Sequence, residues 1–113
     1  MKIKVNILTD ESRLSSEVMQ SASLSAGETK IAGPGGVVLT WEGEDFAKAA
    51  GIPHLIHFAV ETGSGVASGL IAAWLWDRLK GKSIRSVTID RTVVDFDEGK
   101  IKRVLQEHID SRE

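Results

Sequence analysis

The segment at residues 54–80 reads HLIHFAVETGSGVASGLIAAWLWDRLK, and it admits two interpretations that lead to different functions. As one continuous helix begun by Pro53, it places apolar and small side chains on one face at the i, i+3, i+4 spacing. Broken at Thr62, it gives an apolar strand over 55–60, a glycine loop and a helix, which is the order found in nucleotide-binding loops. We expect the continuous helix, packed on strands, with its glycines acting as spacers.

Length and composition indicate a single domain over residues 1–113. Of the 113 residues, 42% are hydrophobic and 27% are charged, values that are typical of globular domains. The formal net charge of -2 gives no electrostatic case for binding nucleic acid. The chain has no cysteine, which excludes disulfides and thiolate chemistry and fits a reducing compartment. We therefore expect a cytoplasmic location, and the alternating start of the chain does not resemble a signal peptide.

A membrane span is the other interpretation of the apolar midsection, because Glu61 is the only formally charged side chain between Gly51 and Trp76. Projected on a helix, however, the same segment shows a polar stripe opposite its large aliphatic residues. A span should be apolar all round, so the sequence disfavours membrane insertion.

The flanking segments predict strands and shorter helices. Strands are expected at 2–8, at 37–41 after a turn at 33–36, and in a hairpin of 83–90 with 92–96. A helix followed by a mobile loop is expected within 10–30, and a short helix at 42–50. The last helix, capped by Asp97, has an apolar stripe with one histidine: Ile101, Val104, Leu105, His108 and Ile109. The predicted fold class is α+β: a small, mostly antiparallel sheet of the N-terminal strand, the central strand and the C-terminal hairpin, packed by a long helix and the C-terminal helix.

Three residues of the midsection have the types and spacing of a metal site. His54, His57 and Glu61 are spaced i, i+3 and i+7, so on a continuous helix they point to nearly the same side. A polar stripe on an exposed helix face explains the same spacing, and it is the interpretation we favour.

The glycine-rich stretch 63–69 could bind a small ligand or nucleotide. Gly63, Ser64, Gly65 and Gly69 follow an apolar run, and Asp90 follows the next candidate strand, as in a dinucleotide fingerprint. Glycines that permit close helix packing explain the stretch equally, and a chain of this size has room for about one βαβ unit. Ser64 lacks the G-x-S-x-G context of an activated nucleophile, so we predict no catalytic residue, no enzyme activity and no cofactor.

A protein partner or self-association is the expected function. Trp74 and Trp76 point to different sides of a helix, so one of them could be exposed and anchor a partner. Gly65 and Gly69 would let a second helix approach closely. These four residues form the predicted partner interface.

The C-terminal half carries short motifs of a known family. They are Glu61-Thr62-Gly63-Ser64-Gly65, Ala73-Trp74-Leu75 at the helix end, and Asp90-Arg91-Thr92-Val93 at the hairpin. With the closing amphipathic helix, residues 58–109 resemble the bacterial effector-associated constant component family, although the glycine typical of that hairpin turn is absent here. The resemblance implies a non-enzymatic accessory module of bacterial conflict or defence systems that works beside a separate effector, such as a protease.

Overall fold

The computed structural model describes residues 1–45, 53–63, 65 and 67–111. Its elements, in chain order, are β1 (Lys2–Thr9), α1 (Leu14–Met19), β2 (Lys30–Ala32), a short 3-10 turn (Pro34–Gly36), β3 (Val38–Asp45), β4 (His54–Glu61), α2 (Ser68–Leu79), β5 (Ile84–Ile89), β6 (Thr92–Asp95) and α3 (Glu98–Ser111). The strands form a six-stranded sheet in the order β2-β3-β4-β1-β5-β6. Every neighbouring pair is antiparallel, which confirms the predicted α+β class.

The alternating pattern of β1 determines which face of the sheet is buried. Ile3, Val5 and Ile7 are at most 1% exposed. They lie opposite Val60, Phe58 and Ile56 of β4, which are equally buried and therefore share this inner face. The positions of β1 on the opposite, open face hold Lys2, Lys4, Asn6 and Leu8. The N-terminal strand is thus the half-buried strand that its sequence predicts.

All three helices cover the inner face, because their apolar side chains join the strands in one core. Leu14 and Val18 of α1 and Leu75 of α2 are at most 2% exposed. The apolar stripe predicted for α3 is confirmed, since four of its five residues are buried: Ile101, Val104, Leu105 and Ile109. Burial of such side chains provides roughly 1.5–3 kcal/mol each relative to exposure. The helices are therefore held on this side of the sheet by their packing.

The cap predicted for α3 is also present. The side chain of Asp97 accepts a hydrogen bond from the Lys100 amide at 3.0 Å, and its carbonyl accepts one from the Ile101 amide at 2.9 Å. A capping carboxylate satisfies amides that the first helical turn leaves without partners. The helix therefore begins where its sequence signal lies.

The midsection is not a continuous helix, so the expectation of one long helix is wrong. Residues 54–61 form β4, which pairs with β1 on one side and with β3 on the other. The helix α2 begins only at Ser68. A central strand is satisfied by two neighbours and tolerates a nearly unbroken apolar run, so the helical spacing within this run was incidental.

Among the residues that the structure describes, the dinucleotide-binding arrangement is absent as well. Strands β4 and β5, which flank the glycine stretch and α2, run in the same direction but are separated by β1, to which both are antiparallel. A dinucleotide site uses adjacent parallel strands.

Two further segments differ from expectation. The helix predicted at 42–50 is wrong over its first part, because β3 continues to Asp45 through a bulge at Gly43, whose φ is 133°. Residues 46–50 lie outside the described part of the chain. The short strand β2 was not predicted. It pairs with β3, and the confirmed turn at Pro34–Gly36 lies between the two strands. Among the described residues, no helix is long and apolar enough to cross a membrane.

Candidate functional site

The three residues predicted to form a metal site do not come together. In the regular strand β4, His57 and Glu61 point to the open face, whereas His54 points to the inner face opposite Thr9. No cluster of three His, Asp or Glu that could hold a metal ion occurs within the described ranges. The expectation of one shared side assumed a helix, and the two-residue period of a strand separates these side chains.

His57 instead connects three neighbouring strands on the open face. Its Nδ1 lies 2.9 Å from Asn6 Oδ1 of β1, and its Nε2 lies 2.9 Å from Asp45 Oδ2 of β3. Beside it, a groove of about 360 Å³ is lined by Lys4, Asn6, Glu42, His57 and Phe58. The imidazole is bonded on both nitrogens, so it serves as a cross-strand tie in this structure.

A second tie crosses the open face. Lys2 Nζ lies 2.9 Å from Glu42 Oε1, so the ion pair joins β1 and β3 across the intervening β4. The hydrogen bond that Lys2 donates to Glu42, followed by the Coulombic effect of the Glu42 carboxylate, raises the pKa of Lys2 above its ordinary value. The polar side chains of Lys2 and Glu42 are therefore bonded to each other, as His57 is to Asn6 and Asp45.

The predicted glycine stretch forms the connection from β4 to α2. Gly63 and Gly65 are exposed, and Gly65 has a φ of 82°, which favours glycine. Gly69 lies in the first turn of α2, where an added Cβ would meet only Gln106 Nε2 at 3.9 Å. Close helix packing therefore does not require a glycine at position 69, contrary to expectation. Ser64 lies outside the described residues.

Asp90 is the predicted site residue with the most contacts. It begins the β5–β6 turn with a φ of 54°, and its amide donates to the Lys4 carbonyl at 2.8 Å. Its Oδ1 accepts from the Lys4 amide at 3.1 Å, and its Oδ2 lies 2.9 Å from His108 Nδ1 of α3. Asp90 thus joins β1, the turn and α3. Both carboxylate oxygens already have a partner inside the fold, and the predicted contact of Asp90 with ribose hydroxyls stays a prediction.

The imidazole of His108 extends this network to a hydroxyl. Its Nε2 lies 3.3 Å from Thr92 Oγ1. Carboxylate, imidazole and hydroxyl stand in the order of an acyl-transfer triad. A triad presents its hydroxyl to a substrate beside oxyanion donors, whereas Thr92 shares the inner face with Val94 and points toward α3. The contact is better explained as an anchor for the helix.

Next to this anchor lies a groove of about 660 Å³, lined by Lys4, Asp90, Arg91, His108 and Ser111. Lys4 and Arg91 are exposed, and within the part of the chain that the structure describes neither side chain forms an ion pair. The side chain of Asp90 is only 16% exposed. We call this groove the turn groove; the exposed side chains of Lys4 and Arg91 bring two positive charges to it.

The edge strand β6 continues the same surface. Val93, two residues after Arg91, is 71% exposed, although it is a large aliphatic residue. Along a strand, the backbone groups of successive residues point to opposite sides. The Asp90 amide points to β1, so the backbone groups of Ile89 point to β6, where they face those of Thr92. The backbone groups of Val93, the next residue of β6, therefore point away from the sheet. We use the name turn surface for the turn groove together with Val93.

Trp74 is not a free anchor, although the sequence allowed one of the two tryptophans to be exposed. Its indole packs against Gly33, where an added Cβ would lie 2.6 Å from Trp74 Cε2. The guanidinium of Arg78 sits 5.2 Å from the ring centroid and also donates to the Val18 carbonyl at 2.9 Å. A ring held between a backbone and a cation is part of the fold.

Trp76 is likewise used inside the domain. Its ring centroid is 5.1 Å from that of Phe96, and both side chains are partly buried against the core. The two tryptophans do point to different sides of α2, as expected, but each is covered by its own neighbour. The predicted partner interface at Trp74, Trp76, Gly65 and Gly69 therefore does not form one exposed surface.

Sequence reasoning missed most of the turn surface. It singled out Asp90 and placed His108 in the stripe of α3, yet it did not connect them, because they are 18 residues apart in the chain. A histidine within an otherwise apolar helical stripe was the available signal, since such a residue needs a polar partner. Arg91 and Val93 carried no signal beyond their place in the predicted hairpin.

Comparison of the chain with protein-family models, with curated proteins and with solved structures gave no match in any of the three. The resemblance to the effector-associated constant component family therefore stays a prediction.

Proposed function

We propose that this chain is a non-enzymatic interaction module, an adaptor that binds a partner protein through the turn surface. The observation that carries the proposal is the hydrogen-bonded attachment of the turn: Asp90 bonds to Lys4 of β1 and to His108 of α3, while Arg91 and Val93 beside it are exposed. The proposal includes the bacterial accessory role and the cytoplasmic location that the sequence suggests.

A fixed turn favours binding, because a surface that is already ordered loses less conformational entropy when a partner docks. Here the anchoring bonds come from two other elements of the fold, and the two neighbouring side chains are left for contact. Arginine is enriched among the residues that dominate binding energy, and an aliphatic side chain beside it supplies apolar area. The exposed backbone groups of Val93 add one more point of attachment.

The test is co-expression of the chain with the products of genes adjacent to its own, followed by mass measurement of purified complexes. We expect a complex of fixed stoichiometry that is lost in the double variant Arg91→Glu/Val93→Glu. The matched control is Leu70→Glu, which introduces a carboxylate at a different aliphatic side chain that is 51% exposed. Self-association is read from the mass of the chain alone in the same experiment.

A complex that survives the double variant but is lost in Leu70→Glu would place the interface on α2 and contradict the proposal. A chain that remains monomeric, with none of the neighbouring products bound, would remove the adaptor function. Unfolding curves for each variant show whether a loss of binding reflects a loss of folding.

A further inference from the structure

We infer that the turn groove binds a carboxylate, supplied by an acidic segment of the partner protein. This inference rests on the proposed function and names the chemistry that its surface recognises. The groove, of about 660 Å³, is the larger of the two grooves described above, and it is lined by the exposed side chains of Lys4 on β1 and Arg91 in the β5–β6 turn.

The polar groups of the groove divide into engaged and available donors. His108 is bonded on both nitrogens, to Asp90 and Thr92, and Ser111 Oγ donates to the His108 carbonyl at 3.1 Å. The Lys4 ammonium and the Arg91 guanidinium have no carboxylate partner among the described residues. A ligand would therefore be held by a cationic fork and a second point charge, both of which are donors without acceptor capacity.

The charge balance favours a carboxylate over a more highly charged anion. Lys4 and Arg91 bring two positive charges, and Asp90 brings one negative charge that is largely withdrawn from solvent. A single carboxylate matches this balance and accepts two parallel bonds from a guanidinium. A dianionic phosphate would meet stronger repulsion from Asp90. The net charge of the chain is -2, so this excess of positive charge is local to the groove.

The test is a titration of the isotopically labelled chain with a hexaglutamate peptide, followed by amide and arginine side-chain NMR shifts. We expect saturable shifts at Arg91 and around Lys4, weaker at high salt. Hexaglutamine, which has the same length without charge, should produce none. Because an ionic hydrogen-bonded contact is lost, Arg91→Glu and Lys4→Glu should each weaken binding by at least about tenfold.

Lys30→Glu is the matched control, since Lys30 is an exposed lysine on β2, at the opposite edge of the sheet, and the charge change is the same. Binding that falls equally in this control would show diffuse attraction and overturn the inference. A phosphoserine peptide that binds more tightly than hexaglutamate would overturn the carboxylate assignment. Absence of shifts at the turn groove would also overturn it.

The two proposals fail separately. If a complex with a neighbouring gene product depends on Val93 but hexaglutamate does not bind, the adaptor function stands and the carboxylate site is wrong. If hexaglutamate binds at Arg91 but no complex forms, the site stands without the adaptor function.

Discussion

The backbone of Gly33 lies directly against the indole of Trp74, so that a Cβ at position 33 would come within 2.6 Å of Trp74 Cε2. The added Cβ would also lie 2.6 Å from Val37 Cγ1. This contact joins the turn before β3 to α2, and through it the Trp74 side chain packs within the domain. The backbone of Gly33 is extended, with a φ of -122°, so the requirement for glycine is steric and not conformational.

Gly33→Ala should therefore lower the free energy of unfolding by about 1–3 kcal/mol, the usual effect of overpacking. Urea unfolding with intrinsic tryptophan fluorescence measures it. Gly63→Ala is the control, because an added Cβ there meets nothing within 4 Å, and its effect should stay within about 0.5 kcal/mol. Equal effects at the two positions would contradict the packing argument.

The bond between Asp90 and His108 should appear as a coupling energy. Asp90→Asn keeps an oxygen for the Lys4 amide but removes the charge that faces the imidazole, and His108→Gln removes the imidazole. We expect each change to destabilise the fold by about 1–2 kcal/mol. In a double-mutant cycle the two should be non-additive by at least about 0.5 kcal/mol. Simple additivity would mean that this contact does not contribute.

The cross-strand tie at His57 predicts a smaller loss. His57→Leu removes bonds to Asn6 and Asp45 at a side chain that is 33% exposed, so water replaces part of what is lost. The expected destabilisation is about 1 kcal/mol, measured by urea unfolding. Asn6→Ala made in the His57→Leu background should then cost less than it does in the original chain. An unchanged cost would show that the two side chains act independently.

The ion pair of Lys2 with Glu42 predicts a dependence on alkaline pH. Because the pKa of Lys2 is raised in the folded state, its contribution to stability is fully present below 10.5, the ordinary value. That contribution is lost as the pH rises through the folded-state pKa. The stability difference between the original chain and Lys2→Gln should therefore shrink above pH 10.5, as unfolding at a series of pH values would show. A constant difference across that range would contradict the assignment.

Local signals in the sequence predicted the first strand, the central turn and the C-terminal hairpin and helix well. The alternation of β1, the hairpin of β5 and β6, the turn at Pro34–Gly36 and the capped helix α3 each depend on a pattern contained within a short segment. The Asp97 cap and the apolar stripe of α3 are examples in which the signal and its partner lie within one helix. Such elements can be recognised without knowledge of their neighbours.

The midsection could not be predicted in the same way. Residues 54–61 form a strand because β1 and β3 satisfy it on both sides, and those strands are distant in the chain. A short apolar run is compatible with a buried helix or a central strand, and periodicity alone does not separate the two. The expectation of a helix also placed His54, His57 and Glu61 on one helix face.

By itself, the sequence determined the α+β class, the first strand, and the C-terminal hairpin and helix. Hydrophobic periodicity, turn residues and a helix cap act over a few neighbouring positions. The tertiary structure alone decided that residues 54–61 are a central strand, that both tryptophans pack partly buried within the domain, and that Asp90 meets Lys4 and His108. These outcomes depend on strand pairing and on packing between segments that are far apart in the chain, and such contacts leave no local pattern in the order of residues.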